Sequence, residues 1–243
     1  LYAALNAIEG RDHTRNIVTI EDPVEHKLNF ATQIQVNRDR KLDFPNILRT
    51  IVRQDPDVIL VGEIRDTESA ALALEAAMTG HLVLSSLHTH TALETLVRLQ
   101  DLEVRPYLLA NALKGVISQQ LLPRLCPGST EPVPSDAAVI TRLKTLGVLE
   151  ADWSGVLSRG KDCEGFPPGG ESGRVGTYEV MFITDQLRDR IDRGAPRSDL
   201  EKTLDPQYFF SFSRYCRFLL KEGLVAPEHV ERMIPKKPLS FPV

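Results

Sequence analysis

The chain has 243 residues, of which 42% are hydrophobic and 26% charged, and its formal net charge at pH 7 is −4. These values are typical of a globular protein with one large domain, or with a main domain and a smaller satellite. Residues 1–120 contain 12 basic and 16 acidic side chains, and the remainder contains 17 of each. Neither part has the basic excess of a nucleic-acid-binding module, so we expect no nucleic-acid partner.

The sequence has no uninterrupted apolar run of roughly 18 residues and no signal peptide, so any membrane role is expected to be peripheral. Its three cysteines, Cys126, Cys163 and Cys216, are odd in number and widely spaced. This argues against a secreted disulfide scaffold and favours a reducing compartment. The chain opens at Leu1 within a helical pattern and without an initiator Met, so we expect it to be part of a longer protein.

The first 123 residues alternate short apolar runs with amphipathic stretches. The continuous apolar character of the runs predicts parallel strands that are buried on both faces, and the amphipathic stretches predict helices. The predicted strands are residues 16–20, 58–61 and 82–87, and the predicted helices are residues 45–53, 67–78 and 92–102. This alternation indicates an α/β fold with a parallel sheet.

Beyond Cys126 the pattern changes, and a segment rich in Gly and Pro at residues 161–173 predicts a loop. A strand is predicted at 174–183, helices are predicted at 136–146, 185–193, 198–204, 208–221 and 227–233, and the last nine residues are expected to form an extended tail. We therefore predict three parts: a core at 1–123, an insert subdomain at 124–183 and a helical subdomain with the tail at 184–243.

Acidic, basic and imidazole side chains lie next to the three predicted strands of the core. They are Glu21, Asp22 and Glu25 after the first strand, Glu63 and Arg65 after the second, and His88 after the third, with His81 just before its start. In open α/β sheets ligands bind beyond the carboxyl ends of the strands, so we expect these groups to converge. Carboxylates can hold Mg²⁺ and orient an attacking water, which predicts a metal-nucleotide site.

Each of these features also has an ordinary structural explanation. Acids after a strand often cap the next helix, and a histidine beside a strand is often only a hydrogen-bonded structural residue. A carboxylate and histidine metallohydrolase that needs no nucleotide would use the same residue types.

Three segments, read together, carry a family resemblance. NIVTIEDPVE, RQDPDVILVGEIRD and TGHLVLSSLHT, in this order, closely resemble the Asp box, Walker B box and His box of the secretion-superfamily ATPases that drive type II secretion and type IV pilus assembly. The similarity extends through LYAALN, LLANALKGVISQQLLPRLCP and GRVGTYEV, so it covers residues 1–183. It implies a RecA-like P-loop NTPase core with a small insert subdomain and a C-terminal helical subdomain.

The resemblance also implies a homo-hexamer that hydrolyses ATP with Mg²⁺ in the cytoplasm, peripheral at the inner membrane, and moves a pilin or pseudopilin platform protein. Glu63 would act through Mg²⁺ and the attacking water, and His81 and His88 would sense the γ-phosphate. The acids of the Asp box, Glu21, Asp22 and Glu25, would position the water or the metal.

Three arginines match the family near its Walker B box: Arg49 and Arg53 ahead of it, and Arg65 just after it. The resemblance implies an inter-subunit arginine finger or a phosphate contact. A solvated helix face, or an ion pair with Asp55 or Asp57, explains the same residues equally well.

The chain departs from the family in its phosphate loop. The family has a GxxxxGK[ST] element just before a segment like LYAALN, but Gly-Lys-Ser/Thr occurs nowhere in these 243 residues. We expect this loop to lie upstream in the intact protein. Without its backbone N–H groups and lysine, the chain alone is expected to bind nucleotide weakly or not at all.

A second departure concerns zinc. Many members carry two CxxC pairs in the insert, whereas here the pairs read CPGS at Cys126 and CEGF at Cys163. Two thiolates cannot complete a tetrahedral structural site, so we expect no zinc and a loop held by packing around Trp153 and Phe166.

Two functional classes remain open at this point. One is a motor, and surviving cysteines inside the insert favour assembly or secretion over a pilus retraction ATPase, which generally lacks the cysteine subdomain. The other is a nucleotide-dead structural or regulatory paralogue, suggested by the lost cysteines and the missing phosphate loop.

Overall fold

The computed structural model describes residues 1–40, 42–134, 136–165 and 167–234. Its helices are α1 (Tyr2–Glu9), α2 (Phe44–Ile51), α3 (Thr67–Met78), α4 (Ala92–Asp101), α5 (Pro106–Ala112), α6 (Ala138–Thr145), α7 (Asp185–Asp192), α8 (Arg197–Lys202), α9 (Phe212–Lys221) and α10 (Pro227–Met233). Its strands are β1 (Ile17–Glu21), β2 (Thr32–Gln35), β3 (Val58–Val61), β4 (Leu82–Ser85), β5 (Gly115–Leu125), β6 (Thr130–Val133), β7 (Leu157–Gly160), β8 (Glu171–Phe182) and β9 (Phe209–Phe210). The tail predicted for the last nine residues lies outside the described ranges.

The chain forms two compact units. Among the described residues, the first contains Leu1–Thr89, Leu93–Lys114 and Ile183–Leu200, and the second contains His90–Ala92, Gly115–Phe182 and those from Glu201 onward. The three-part division at residues 123 and 183 stays a prediction.

The first unit is built on a parallel sheet with the strand order β2-β1-β3-β4. One face of β1 and β3, which includes Ile20 and Ile59, packs in the same apolar cluster as α2 and α3. The opposite face, which includes Ile17 and Leu60, packs with Leu5 of α1. Because both faces are covered, these strands are apolar at nearly every position, and the predicted parallel α/β fold is confirmed.

The outer strands of this sheet differ from the prediction. β4 ends at Ser85, two residues early, and it pairs with β3 while Leu82 is 45% exposed, so its predicted burial on both faces is wrong for the described structure. β2 was not predicted at all. Its sequence, TQIQ, is mostly polar because it lies at the other edge of the described sheet.

Two helices that follow the site segments are capped by aspartates. Asp43 accepts a hydrogen bond from the backbone N of Asn46 at the start of α2 (2.9 Å). Asp66 accepts one from the backbone N of Ser69 at the start of α3 (2.8 Å). These caps satisfy helical N–H groups that have no intrahelical partner, and they fix the residue at which each helix begins.

The second unit contains an antiparallel sheet of order β5-β8-β9 and a two-stranded antiparallel sheet of β6 and β7, and its core includes residues of α6, α9 and α10. The helix predicted from residue 208 begins instead at Phe212, because Ser211 accepts the backbone N–H of Arg214 as an N-cap and Phe209–Phe210 pairs with β8. β8 also begins at Glu171, inside the predicted loop. β5 was missed because apolar and polar residues do not alternate regularly along it.

Backbone and side-chain hydrogen bonds join the two cysteine-bearing segments of this unit, which are the segments around Cys126 and Cys163. Ser129, which is fully buried, donates from Oγ to the carbonyl of Lys161 (2.6 Å), and the backbone N of Cys126 donates to the carbonyl of Gly170 (2.9 Å). Trp153 is partly buried against the core, as the packing prediction requires, whereas Phe166 lies outside the described residues. These hydrogen bonds therefore join the two segments directly.

Two glycines of this unit provide a matched test of close backbone packing. Gly170 and Gly173 both have positive φ, but a Cβ on Gly170 would lie 2.3 Å from the carbonyl oxygen of Ser129, while one on Gly173 would meet nothing within 4 Å. We expect Gly173→Ala to lower the free energy of unfolding by about 1 kcal/mol from backbone strain, and Gly170→Ala to lower it by about 3 kcal/mol through the added clash. Urea unfolding followed by circular dichroism measures both, and equal losses would contradict the packing described here.

Candidate functional site

The carboxyl ends of β1 and β3 are joined by a glycine. The backbone N of Gly62 donates to the carbonyl of Ile20 (2.8 Å), and a Cβ on Gly62 would lie only 3.1 Å from that oxygen. A larger residue would require the two strands to move apart by a few tenths of an ångström. Gly62 therefore keeps the strands close where Glu21 and Glu63 leave the sheet.

Glu63 is the central carboxylate of this edge. Its Oε1 lies 2.5 Å from Nη2 of Arg65, and its Oε2 lies 3.3 Å from Nε2 of His88. The Glu63 side chain is 13% exposed, whereas that of His88 is 89% exposed. The hydrogen bond and charge of Glu63 raise the pKa of Arg65, with a smaller contribution from Asp22. One nearly buried carboxylate is thus held between two exposed basic groups.

Two serine hydroxyls form hydrogen bonds that connect the end of β4 to β3 and to the residue that follows β3. The hydroxyl of Ser85 donates to the carbonyl of Val61 (2.7 Å), and that of Ser86 donates to the carbonyl of Gly62 (2.6 Å). The backbone N of Ile64 donates in return to the carbonyl of Ser86 (3.0 Å). Sequence reasoning missed these serines, although the SSLH string beside a candidate histidine is the signal that could have found them.

Glu21 is buried, and its carboxylate is bonded to side chains of the same unit. Oε1 accepts from Thr19 Oγ1 (2.5 Å) and Gln33 Nε2 (3.1 Å), and Oε2 accepts from the Tyr2 hydroxyl. Burial, and then the bond to Glu21, raise the pKa of Tyr2, so its phenol stays protonated and donates at neutral pH. The other acids of the segment, Asp22 and Glu25, are exposed.

The structure brings His88, but not His81, to Glu63. His81 lies at the amino end of β4, where its Nδ1 is 2.8 Å from the carbonyl oxygen of Ala76 and 3.1 Å from Oγ1 of Thr79. The four residues of β4 place about 13 Å of strand between His81 and the carboxyl edge. His81 therefore contacts the end of α3, at the amino ends of the strands and away from Glu63.

The candidate arginines lie at three different places. Arg65 contacts Glu63, as described above. Arg49 of α2 forms an ion pair with Glu68 of α3, and both side chains are about half exposed. Its partner is thus neither Asp55 nor Asp57. Arg53 is exposed in the turn of 3₁₀-helix that follows α2. Solvent exposure leaves these two side chains accessible to another molecule, and the exposed ion pair of Arg49 with Glu68 contributes little stability.

The possible metal ligands at the carboxyl ends of the strands are carboxylates and a histidine. Among the residues that the structure describes, no group of three or more His, Cys, Asp or Glu side chains is arranged to hold a metal ion. Mg²⁺ usually keeps waters and binds through one or two carboxylates together with substrate phosphates. The described residues offer separate carboxylates here, such as Glu63 and the exposed Asp22, and no cage of protein ligands.

Among the helices of the described residues, none is both long enough and apolar enough to cross a bilayer.

Comparison with known structures defines the fold class. The crystal structure of the pilus retraction motor PilT with bound ADP matches with a TM-score of 0.66 and 28% identity, over 96% of this chain and 57% of that one. The Legionella pneumophila ATPase DotB shares the fold at a TM-score of 0.59 and 22% identity, over 92% and 52% of the two chains. The fold is that of the RecA-like P-loop ATPases.

Sequence comparison gives the family. The model of the type II/IV secretion system protein family matches residues 1–232, so the chain belongs to that family. It is 43% identical to type II secretion system protein E of Klebsiella pneumoniae, over 99% of this chain and 46% of that protein. It is 40% identical to the type IV pilus assembly ATPase PilB of Thermus thermophilus, over 77% and 21%. The chain spans less than half the length of these relatives.

The cysteine-bearing segments lead to a prediction about zinc. Ser129 Oγ is engaged with Lys161, and Cys126 and Cys163 supply two thiols for four tetrahedral positions, so we expect less than about half an equivalent of bound zinc in the purified protein. Elemental analysis after extensive dialysis measures this, with Cys126→Ser as the matched control. A stoichiometric zinc content that falls in the control variant would contradict the prediction.

Proposed function

We propose that this chain is part of an ATP-hydrolysing motor that powers type II protein secretion or type IV pilus assembly. The observation that carries the proposal is Glu63, held by Arg65 and His88 at the carboxyl edge of a RecA-like sheet. Family membership and the names of the relatives support the same activity.

In the proposed reaction Glu63 orients the attacking water by accepting a hydrogen bond from it. The water oxygen bonds to the γ-phosphorus while the bond to the β,γ-bridging oxygen breaks, which gives ADP and inorganic phosphate. A carboxylate that is nearly buried and fixed by neighbours is suited to this task, because its position needs little reorganisation during the reaction.

His88 is the proposed sensor of the γ-phosphate. Its ring is exposed and makes only a 3.3 Å contact with Glu63, so a phosphate oxygen at this edge can compete for it. Arg65, also exposed, can exchange Glu63 for phosphate in the same way. The sensing role of His81 stays a prediction, and its ring contacts the end of α3 at the amino ends of the strands.

Asp22 and Glu25 are proposed to face Mg²⁺ or its waters, since both are exposed on the loop after β1. When bound with the nucleotide, the metal neutralises phosphate charge. Arg49 and Arg53 are proposed to reach a neighbouring subunit, because both are exposed on the segment before β3.

The intact protein is proposed to be a homo-hexamer with its phosphate loop upstream of α1, which would set the N-terminal end of that helix toward the phosphates. It would work in the cytoplasm, peripheral at the inner membrane, on a platform protein. A role in pilus retraction is less favoured than one in secretion or pilus assembly, because the chain is 28% identical to the retraction motor PilT and 43% identical to a type II secretion system protein E. A nucleotide-dead paralogue is the other alternative.

Replacing Glu63 tests the proposed chemistry. In the full-length protein, Glu63→Gln should lower the ATPase kcat by at least about 100-fold, because it removes the charge that orients and polarises water. Binding of a fluorescent ATP analogue should persist, since the phosphate loop supplies most of the phosphate contacts. A coupled phosphate-release assay and a binding titration measure the two effects.

Glu75→Gln is the matched control, because Glu75 is exposed on α3 and lies outside the site. Its rate should equal that of the unmodified protein. Equal rates for Glu63→Gln and the control would rule out the assigned role, and an absence of ATPase activity in the unmodified full-length protein would favour the nucleotide-dead alternative.

A further inference from the structure

The acidic loop after β1, residues 22–28, is held by side chains from outside its own motif. None of these residues belongs to a helix or a strand, so the backbone groups of the loop need partners from elsewhere. Three residues provide them: Tyr2 on α1, and Gln33 and Gln35 on β2.

Tyr2 has the most varied set of contacts. Its hydroxyl donates to the Glu21 carboxylate and accepts from the backbone N–H groups of Glu25 (3.2 Å) and His26 (3.4 Å). One oxygen thus joins α1, the end of β1 and the middle of the loop.

Gln33 and Gln35 hold the loop from the β2 side. Gln33 accepts from the backbone N of Leu28 (2.7 Å) and donates to the carbonyl of His26 (2.9 Å), while Gln35 accepts from the backbone N of Val24 (3.3 Å). Gln33 also donates to Glu21, which ties both sets of contacts to the same carboxylate.

The strand register explains why these side chains meet. Thr19 pairs with Gln33, and Glu21 pairs with Gln35, so all four side chains lie on the face of the sheet that α1 covers. That face is apolar at Ile17 and becomes polar toward the carboxyl edge. Tyr2 spans the change, because its ring packs in the apolar cluster and its hydroxyl reaches the polar end.

We propose that Tyr2 is a positioning residue, which fixes the acidic loop against β1 through the buried Glu21 and so determines where Asp22 and Glu25 face the nucleotide. The inference rests on the ATPase activity proposed above. Glu21 is then an internal anchor whose three side-chain partners occupy both of its oxygens, and it acts on the reaction through the loop.

Tyr2→Phe in the full-length protein tests the proposal, with Tyr107→Phe as the control because Tyr107 is exposed on α5. Since a small displacement of positioned groups slows the chemical step, kcat should fall about tenfold, and KM should stay within about twofold. Without nucleotide, hydrogen exchange in residues 22–28 should become about fivefold faster, because the loop loses an anchor. The control should change neither quantity.

Gln33→Met removes a different set of hydrogen bonds to the same loop. It should therefore lower kcat and speed hydrogen exchange in residues 22–28, as Tyr2→Phe does. Tyr2→Phe combined with Glu21→Gln should lose little more activity than the more damaging single variant, because both changes break the same bond. Unchanged exchange in residues 22–28, or an unchanged kcat, in both Tyr2→Phe and Gln33→Met would overturn the proposal. If the unmodified protein hydrolyses no ATP, the proposed function fails, and the exchange result alone then decides whether Tyr2 holds the loop.

Discussion

The site depends on the hydrogen bond from Gly62 N to the Ile20 carbonyl, which joins β1 and β3 at the point where both strands change from apolar to polar. Close approach of the two backbones leaves little room for a side chain at position 62. Next to this close approach, β1 ends in the buried Glu21, and β3 is followed by the nearly buried Glu63. The two acids, which look equivalent in the sequence, therefore have different environments and different proposed tasks.

The sequence predicted the centre of the fold well because the centre has simple physical causes. β1 and β3 are covered on both faces, so their continuous apolar runs have one good interpretation, and Asp66 marks the start of α3 at the predicted residue. The edge strand β2 and the partly covered β5 carry no such pattern. Their pairing depends on neighbours distant in the chain, which single-sequence periodicity does not record.

The candidate site was predicted in part for the same reason. Motif position identified Glu63 and His88, which meet in the structure, but it gave His81 the same weight although His81 contacts α3. Tyr2 was not identified, because its hydroxyl acts on Glu21, which is 19 residues away along the chain and on a different element. In the segments that contain Cys126 and Cys163, the hydrogen bond from Ser129 to Lys161 and the close approach at Gly170 join parts of the chain that are distant in the sequence, and neither is visible as a motif.

The central claim is that the carboxyl edge of β1, β3 and β4 faces the terminal phosphate of ATP. A structure of the full-length protein with Mg²⁺ and a non-hydrolysable ATP analogue tests it most directly. We expect the γ-phosphate beside His88, with a water between it and the Glu63 carboxylate, and the Tyr2–Glu21 bond intact. A γ-phosphate bound away from this edge, with Glu63 still paired to Arg65 and His88, would contradict it.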